Sequence, residues 1–141
     1  MIDFNTKFGR VAKKHLKDEY FIWLTTVDST GTPQPRPVWF IWQADSFLIF
    51  SQAKAYKISH IKKNPKVALH FNTEDVAGDK HVIVFAGEAA FDEKCPPAHK
   101  VSAYIRKYRS GIAGLKMTPE GFSSEYSVAL RIKLTELRGW E

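Results

Sequence analysis

The run Val38-Trp39-Phe40-Ile41-Trp42 places five large apolar residues in a row. A segment this short, aromatic and β-branched is typical of a β-strand, in which side chains point alternately to the two faces of a sheet. An antiparallel sheet with one face in water would alternate apolar and polar residues here, so both faces of this strand must be covered. A helix of the same chain, a second subunit or a flat aromatic ligand could each provide that cover.

Segments rich in aromatic and β-branched residues recur along the chain, and turn signals such as Asp28-Ser29-Thr30-Gly31 separate them. The first three predicted strands form an antiparallel meander. Alternating prolines at 33, 35 and 37 keep the start of the second strand out of a sheet interior. The absence of βαβ alternation favours a mainly β fold, an antiparallel barrel with short helices. The six predicted strands are Tyr20–Val27, Pro35–Gln43, Ser46–Ser51, Lys66–Asn72, His81–Phe91 and Ser127–Leu137.

Helical periodicity and breaker residues account for the segments between these strands. The pattern predicts a β-bulge at Gly87 and loops over Thr73–Lys80 and Ser110–Thr118. The predicted helices are an amphipathic one over residues 4–16 capped by Asp3 or Asn5, a short one over about Ala55–Lys63, a stretch from Pro96-Pro97 to about Tyr108, and one turn within Pro119–Tyr126.

A chain of 141 residues with 44% hydrophobic residues can bury one sizeable core, so residues 1–141 are predicted to form a single domain. Lys and Arg number 21 against 15 Asp and Glu, and the resulting charge of +6 indicates an anionic partner. Cys95 is the sole cysteine, which excludes an internal disulfide and makes the cytoplasm the expected compartment. The sequence shows neither a signal peptide nor an apolar run of the ~20 residues that a membrane span needs, so no membrane association is expected.

The sequence offers little for metal or nucleophilic chemistry. Its five histidines are scattered without a His-x-x-x-His pair, and Cys95 has no cysteine partner, so no metal site is predicted. There is no Gly-x-Ser-x-Gly elbow, and Cys95 precedes two prolines on a predicted loop, where an ordinary thiol is expected.

Two lysine-rich stretches contain no acidic residue, one between Asp45 and Glu74 and one between Glu93 and Glu120. In the first, Lys54 and Lys57 flank the start of the predicted helix over about Ala55–Lys63, with Ser51 upstream. Because helix N-termini carry partial positive charge, this arrangement suits a phosphate. A solvated lysine face is the alternative reading.

The order of several segments resembles the pyridoxamine-5′-phosphate-oxidase-like split barrels. The segment from Trp23-Leu24-Thr25-Thr26-Val27 through Pro35-Arg36-Pro37-Val38-Trp39-Phe40 is similar to the opening meander of that family. Phe50-Ser51-Gln52, Lys57 and Ile61-x-x-Asn64-Pro65-x-Val67-Ala68-Leu69 are similar to the segment that follows it. The resemblance covers about residues 4–91 and, loosely, the last strand. It is closest to the branch of short deazaflavin-dependent reductases.

This resemblance implies a six-stranded split barrel of the FMN-binding type that pairs as a homodimer, with a flavin-type cofactor in each groove between subunits. Carried over by position, the resemblance places Arg36, Pro37, Val38 and Trp39 at the isoalloxazine or deazaflavin ring. It places Phe50, Ser51 and Gln52 along the ribityl chain, Lys57 with Lys54 at the phosphate, and Asn72 at the subunit interface.

The sequence departs from the family at two places. Ala55 and Tyr56 stand where members often carry a second basic or polar residue just before the lysine. The C-terminal Leu137-Arg138-Gly139-Trp140-Glu141 lacks the arginine-and-histidine substrate motif of true pyridoxamine phosphate oxidases, so that specific activity is not expected.

The resemblance therefore implies an oxidoreductase that transfers a hydride between coenzyme F420 or FMN and an unidentified small organic substrate. The anionic tail of F420 suits the two lysine-rich stretches and favours this cofactor slightly. The alternative is a carrier or sensor that binds flavin or haem without turnover, with His15, His60 or His70 as an axial ligand. A nucleic-acid binder is not expected, because the aromatic residues fall at predicted core positions of strands.

Overall fold

The computed structural model describes residues 2–73 and 81–140. Its seven strands form one antiparallel sheet with the order β2-β1-β5-β6-β7-β4-β3. The strands are β1 (Phe21–Val27), β2 (Pro33–Trp39), β3 (Ile41–Gln43), β4 (Ser46–Ser51), β5 (Lys66–His70), β6 (Val82–Phe91) and β7 (Val128–Trp140). The α-helices are α1 (Lys7–Asp18), α2 (Tyr56–Lys63), α3 (Ser102–Gly114) and α4 (Pro119–Glu125), and a 3-10 turn covers Ala98–Lys100.

The predicted strand Pro35–Gln43 is two strands, which makes the strand total seven where six were predicted. β2 and β3 are separated by Phe40 alone and lie at opposite edges of the sheet. The sheet must therefore curl until its two edges approach each other, and this produces the mainly β split barrel. The meander pairings hold, because β2 pairs with β1 and β3 pairs with β4.

Side chains from a distant helix satisfy the backbone where the strand breaks. The Phe40 N–H donates to the Tyr108 hydroxyl oxygen at 2.8 Å, and Lys107 Nζ donates to the Phe40 carbonyl oxygen at 2.8 Å. The Tyr108 hydroxyl also lies within hydrogen-bond distance of the Phe40 and Tyr20 carbonyl oxygens. These bonds replace the ladder partners that the backbone loses at the bend.

The apolar run packs into two separate clusters. Phe40 is fully buried inside the barrel with Val38 and Trp42, whereas Trp39 and Ile41 belong to an outer cluster beneath α3 and α4. The Trp39 ring stacks on Tyr108 with 4.6 Å between the ring centroids. Of the three covers that the sequence left open, helices of this same chain therefore cover the outer side chains of the run.

β2 is an edge strand, as its prolines predict. Because proline has no N–H, the ladder donors of β2 toward β1 are Gln34, Arg36 and Val38. The prolines at 33, 35 and 37 face the open edge, which is thereby left without N–H donors over most of its length.

The helical predictions need two corrections. Thr6 caps α1, since its Oγ1 accepts from the Gly9 N–H at 2.9 Å; Asp3 and Asn5 do not cap it. α3 continues to Gly114, so the predicted loop Ser110–Thr118 is wrong over its first half. Gly111 suggested a loop, but a Cβ there would lie within 2.9 Å of the Trp39 ring, so glycine permits close packing of the helix.

Other local predictions hold. The register shifts between Ala86 and Gly87, as predicted, but the extra residue is Thr135, so the irregularity is on β7 opposite Gly87. Pro119 opens α4, which is longer than the predicted single turn. The predicted loop Thr73–Lys80 lies outside the described residues except for Thr73. No helix in the described ranges combines the length and hydropathy that crossing a bilayer requires.

Candidate functional site

A pocket of about 580 Å³ lies between strands β1 and β2 and the start of α2. Register explains its β-sheet wall: Arg36 lies opposite Leu24 and Gln34 opposite Thr26, and directly paired residues point to the same face. Ile58 and Ile61 pack α2 into the barrel core, which fixes the other wall. The lining residues are Leu24, Thr26, Asp28, Gln34, Arg36, Pro37, Ala55, Tyr56, Lys57 and His60.

Lys57 is the half-buried cation of this pocket. Its Nζ donates a long hydrogen bond of 3.4 Å to Ser51 Oγ at the end of β4. Burial and, second, the nearby Arg36 guanidinium lower the pKa of the Lys57 amine. A half-buried lysine and an exposed arginine thus line the same pocket, an arrangement that an anion would stabilise.

The first turn of α2 adds backbone donors to the same wall. Ala55 occupies the N-cap position and has no side chain that could bond to the first N–H groups. The chain reaches this point through a tight turn in which the Ala55 N–H donates to the Gln52 carbonyl oxygen at 3.2 Å. Lys57 and the open helix start therefore line the pocket together, and their binding of a phosphate stays a prediction.

Asp28 is the acid of the pocket lining, and its carboxylate is occupied by its own turn. Oδ1 accepts from the Thr30 and Thr32 N–H groups and the Thr30 hydroxyl, and Oδ2 accepts from Gln34 Nε2. These hydrogen bonds hold the pKa of Asp28 well below its usual value. The carboxylate therefore stays ionised and organises the β1–β2 turn. It forms no ion pair with the pocket cations among the described residues.

The structure brings together only part of the predicted site. Arg36, Pro37 and Lys57 line the pocket, and Ser51 bonds to Lys57. Val38 packs against the barrel core, and Trp39 lies in the outer cluster on Tyr108. Consecutive strand residues face opposite sides, so the four side chains from Arg36 to Trp39 cannot all reach one cavity.

The remaining predicted residues lie elsewhere. Phe50 packs against Tyr104 in the outer cluster, and Gln52 donates to Glu125 at 3.0 Å. Lys54 is exposed beside the pocket without lining it. Asn72 accepts from the Trp23 indole N–H at 2.8 Å. The roles assigned to these residues by resemblance stay predictions.

Sequence reasoning missed three polar residues of the pocket, Thr26, Asp28 and Gln34. A signal for Gln34 was present, because it stands two residues before Arg36 on the same strand and so shares its face. His60 was considered only as a haem ligand; it lies one helical turn after Lys57 and its Nδ1 is 2.8 Å from Thr26 Oγ1.

The histidines and Cys95 form no metal-binding group within residues 2–73 and 81–140. His15 is engaged at both ring nitrogens, by Glu19 Oε2 at 3.0 Å and His81 Nδ1 at 3.1 Å. His70 stacks on Trp23 with 6.1 Å between centroids. Burial raises the pKa of the Cys95 thiol, which is the opposite of nucleophile activation.

Fold and pocket together define a small split β-barrel with a cationic pocket. The family model described as pyridoxamine 5′-phosphate oxidase matches residues 9–141. The chain therefore belongs to the pyridoxamine 5′-phosphate oxidase family.

One curated relative is similar to part of the chain. The pyridoxine/pyridoxamine 5′-phosphate oxidase 2 of Hydrogenovibrio crunogenus is 33% identical over 72 residues, which are 50% of this chain. The match spans 34% of that relative, about a third of its length.

Solved structures share the fold at low sequence identity. A conserved hypothetical protein from Mycobacterium tuberculosis superposes with a TM-score of 0.75 at 18% identity, covering 100% of this chain and 88% of that one. An F420 reductase superposes with a TM-score of 0.66 at 21% identity, covering 89% of this chain and 94% of that one. HutZ, the haem storage protein of Vibrio cholerae, superposes with a TM-score of 0.61 at 14% identity, covering 94% of each chain.

Proposed function

We propose that this protein is an oxidoreductase that binds coenzyme F420 or FMN and transfers a hydride between that cofactor and a small organic substrate. The observation that carries the proposal is the half-buried Lys57 amine beside Arg36 in the pocket between β2 and α2. Desolvation and, second, repulsion from Arg36 disfavour the charged form of Lys57, and an anionic cofactor group would offset both. Lys57, Ser51 and the N–H groups at the start of α2 would hold the phosphate.

The cofactor supplies the hydride chemistry, so the residues of this chain bind, orient and shield it. Arg36 and Gln34 stand on the strand that forms one wall of the pocket and would orient the polar part of the cofactor. F420 is preferred over FMN, because the lysine-rich stretches suit its anionic tail. The similarity in fold to an F420 reductase is consistent with this choice.

We also propose a cytoplasmic homodimer with the cofactor in the groove between subunits. Tyr56 supports a partner surface at the pocket, since this large aromatic side chain is 81% exposed at its rim. Sedimentation equilibrium should give twice the chain mass at micromolar concentration. If the protein is a monomer at this concentration and still binds the cofactor, the proposal of a dimer with the cofactor between its subunits is wrong.

The cofactor assignment is tested by titrating purified protein with F420 and FMN and following fluorescence. Replacement of Lys57 by alanine removes a charge-assisted hydrogen bond, so binding should weaken by roughly 1.5–3 kcal/mol. Lys63→Ala, at the exposed end of the same helix, should leave the affinity unchanged. If neither cofactor binds below ~100 µM, the assignment fails.

A carrier without turnover is the second candidate, favoured by His60 in the pocket lining and by the fold shared with a haem storage protein. Reconstitution with haemin would then produce a Soret band that His60→Ala abolishes. Oxidation of reduced F420 by quinone or enone acceptors, in proportion to enzyme concentration, would instead support the oxidoreductase.

A further inference from the structure

A second and larger cavity lies on another side of the molecule. It is an open groove of about 880 Å³ between α1 and α3, along the short strand β3. Its volume lies within the range of small-molecule sites. It shares no lining residue with the pocket between β2 and α2. The groove is lined by Phe4, Asn5, Arg10, Lys13, Lys14, Leu16, Lys17, Ile41, Trp42, Ala103, Arg106 and Lys107.

All charged side chains that line this groove are positive, and we refer to it below as the basic groove. Six of its lining residues are basic, and none of the described lining residues is acidic. The ion pairs between described residues leave Lys13, Lys17 and Arg106 without a partner. Glu19 is close enough to act on Lys107, but its carboxylate is bonded to His15 at 3.0 Å. A concave surface lined by cations concentrates anions.

The floor of the basic groove is aromatic and partly exposed. The Phe4 and Trp42 rings meet edge to face with 6.1 Å between centroids. Lys13 Nζ lies 4.8 Å from the Phe4 ring centroid and 6.0 Å from that of Trp42. Aromatic rings and cations thus stand next to each other, a combination that recognises an aromatic ring bearing negative groups.

A second copy of the chain does not fit this surface. A two-fold interface places the same patch of both copies against itself, so six basic residues of one copy would face six of the other. Such like-charge contact opposes association. The occupant must bring negative charge.

We propose that the basic groove is a second ligand site, for a small aromatic molecule carrying two or more sulfonate, phosphate or carboxylate groups. Its ring packs on Phe4 and Trp42, and its anionic groups contact Lys13 and Arg106 on the two facing helices. Lys107 contributes charge at the floor while its Nζ stays bonded to the Phe40 carbonyl oxygen at 2.8 Å.

Pyrenetrisulfonate, a flat fluorescent trianion, is a suitable probe, and its anisotropy is measured at physiological ionic strength. Lys13→Glu and Arg106→Glu should each weaken binding at least about fivefold, because each turns an attraction into a repulsion. Lys94→Glu is the matched control: it makes the same charge change at an exposed loop residue and should alter binding less than about twofold. Lys57→Ala should leave binding unchanged.

Ring recognition is tested separately. Trp42→Leu should weaken pyrenetrisulfonate severalfold, and inorganic sulfate at equal ionic strength should not displace the probe. If a charge-reversed variant fails to fold by circular dichroism, Arg106→Gln provides the neutral comparison and should still weaken binding more than Lys94→Gln.

Three results would overturn the proposal. Equal losses for Lys94→Glu and Arg106→Glu would indicate diffuse attraction to a basic protein. Loss of binding in Lys57→Ala would place the probe in the other pocket, without bearing on the cofactor assignment. No binding below ~1 mM would leave the groove without the proposed ligand.

Discussion

Lys57 and Lys107 are both half-buried lysines on helices, and burial lowers the pKa of both amines. Their surroundings differ. Lys107 Nζ donates to the Phe40 carbonyl oxygen at 2.8 Å and lies 3.8 Å from the centroid of the Phe40 ring. Lys57 has one long hydrogen bond to Ser51, and the nearby Arg36 further disfavours the charged form of its amine. A lysine with a lowered pKa is thus part of the framework in one region and the proposed binding group in the other.

Burial alone does not identify a binding lysine. At Lys107 the protein itself supplies an acceptor and an aromatic face, and these hold the ammonium at the strand bend. At Lys57 the charged neighbour that acts on the pKa of the amine is another cation, Arg36. What separates the two regions is therefore the chemistry of the partners, which substitutions can test.

The largest effect is expected from Phe40→Ala. This side chain is fully buried at the bend between β2 and β3, so its loss leaves a cavity and removes the ring beneath Lys107. The free energy of unfolding in urea should fall by about 3–5 kcal/mol. Tyr56→Ala, in the exposed rim of the Lys57 pocket, should cost less than about 0.5 kcal/mol. Comparable losses in both variants would contradict the division between framework and binding regions.

A smaller effect is expected from Tyr108→Phe. It removes the hydroxyl that accepts from the Phe40 N–H and lies beside two carbonyl oxygens, without removing the ring stack on Trp39. Leaving these buried backbone groups without that partner should cost about 1–3 kcal/mol of unfolding free energy. Cofactor affinity should stay that of the wild type, since Tyr108 does not line the pocket. A change in cofactor affinity without a change in the free energy of unfolding would show that Tyr108 belongs to the binding region and not to the framework.

The smallest effect is a pH dependence. Burial lowers the pKa of Lys107 to about 8, whereas its ordinary value is 10.5. The unfolded chain therefore binds more protons between these values, so this group makes stability rise as pH increases from about 8 toward 10.5. Urea midpoints should be compared up to about pH 9.5, below the range where tyrosines ionise.

In Lys107→Met this rise should shrink, and Lys57→Met should reduce it as well, since its pKa is shifted in the same direction. Only in the Lys57 variant should the loss of charge also weaken cofactor binding. Identical pH slopes in wild type and Lys107→Met would show that the amine is not desolvated in the folded protein.

Much of the fold follows from local pattern. The alternating residues of β5 and β7, the stripe of α1 and the edge position of β2 follow from periodicity and from the missing N–H groups of three prolines. The length of α3 did not follow, because Gly111 is typical of a loop in the sequence but is required by the approach of Trp39.

The candidate site divides in the same way. Lys57 and Ser51 are near each other in the chain, so a helix start with a preceding strand was enough to predict their neighbourhood. Arg36 joins them only through the pairing of β2 with β1 and the packing of α2. Strand alternation turns Trp39, three residues later, to the opposite face from Arg36, but only the packing of α3 and α4 places that face in the outer cluster.

Most strands and helices follow from local sequence, because side-chain period and backbone chemistry are local properties. The position at which the run from Val38 to Trp42 breaks depends on tertiary contacts. Every residue in the run is apolar, so the sequence pattern contains no interruption that would predict the break. The break falls at Phe40 because Lys107 and Tyr108, far along the chain, provide the hydrogen bonds that its backbone needs there.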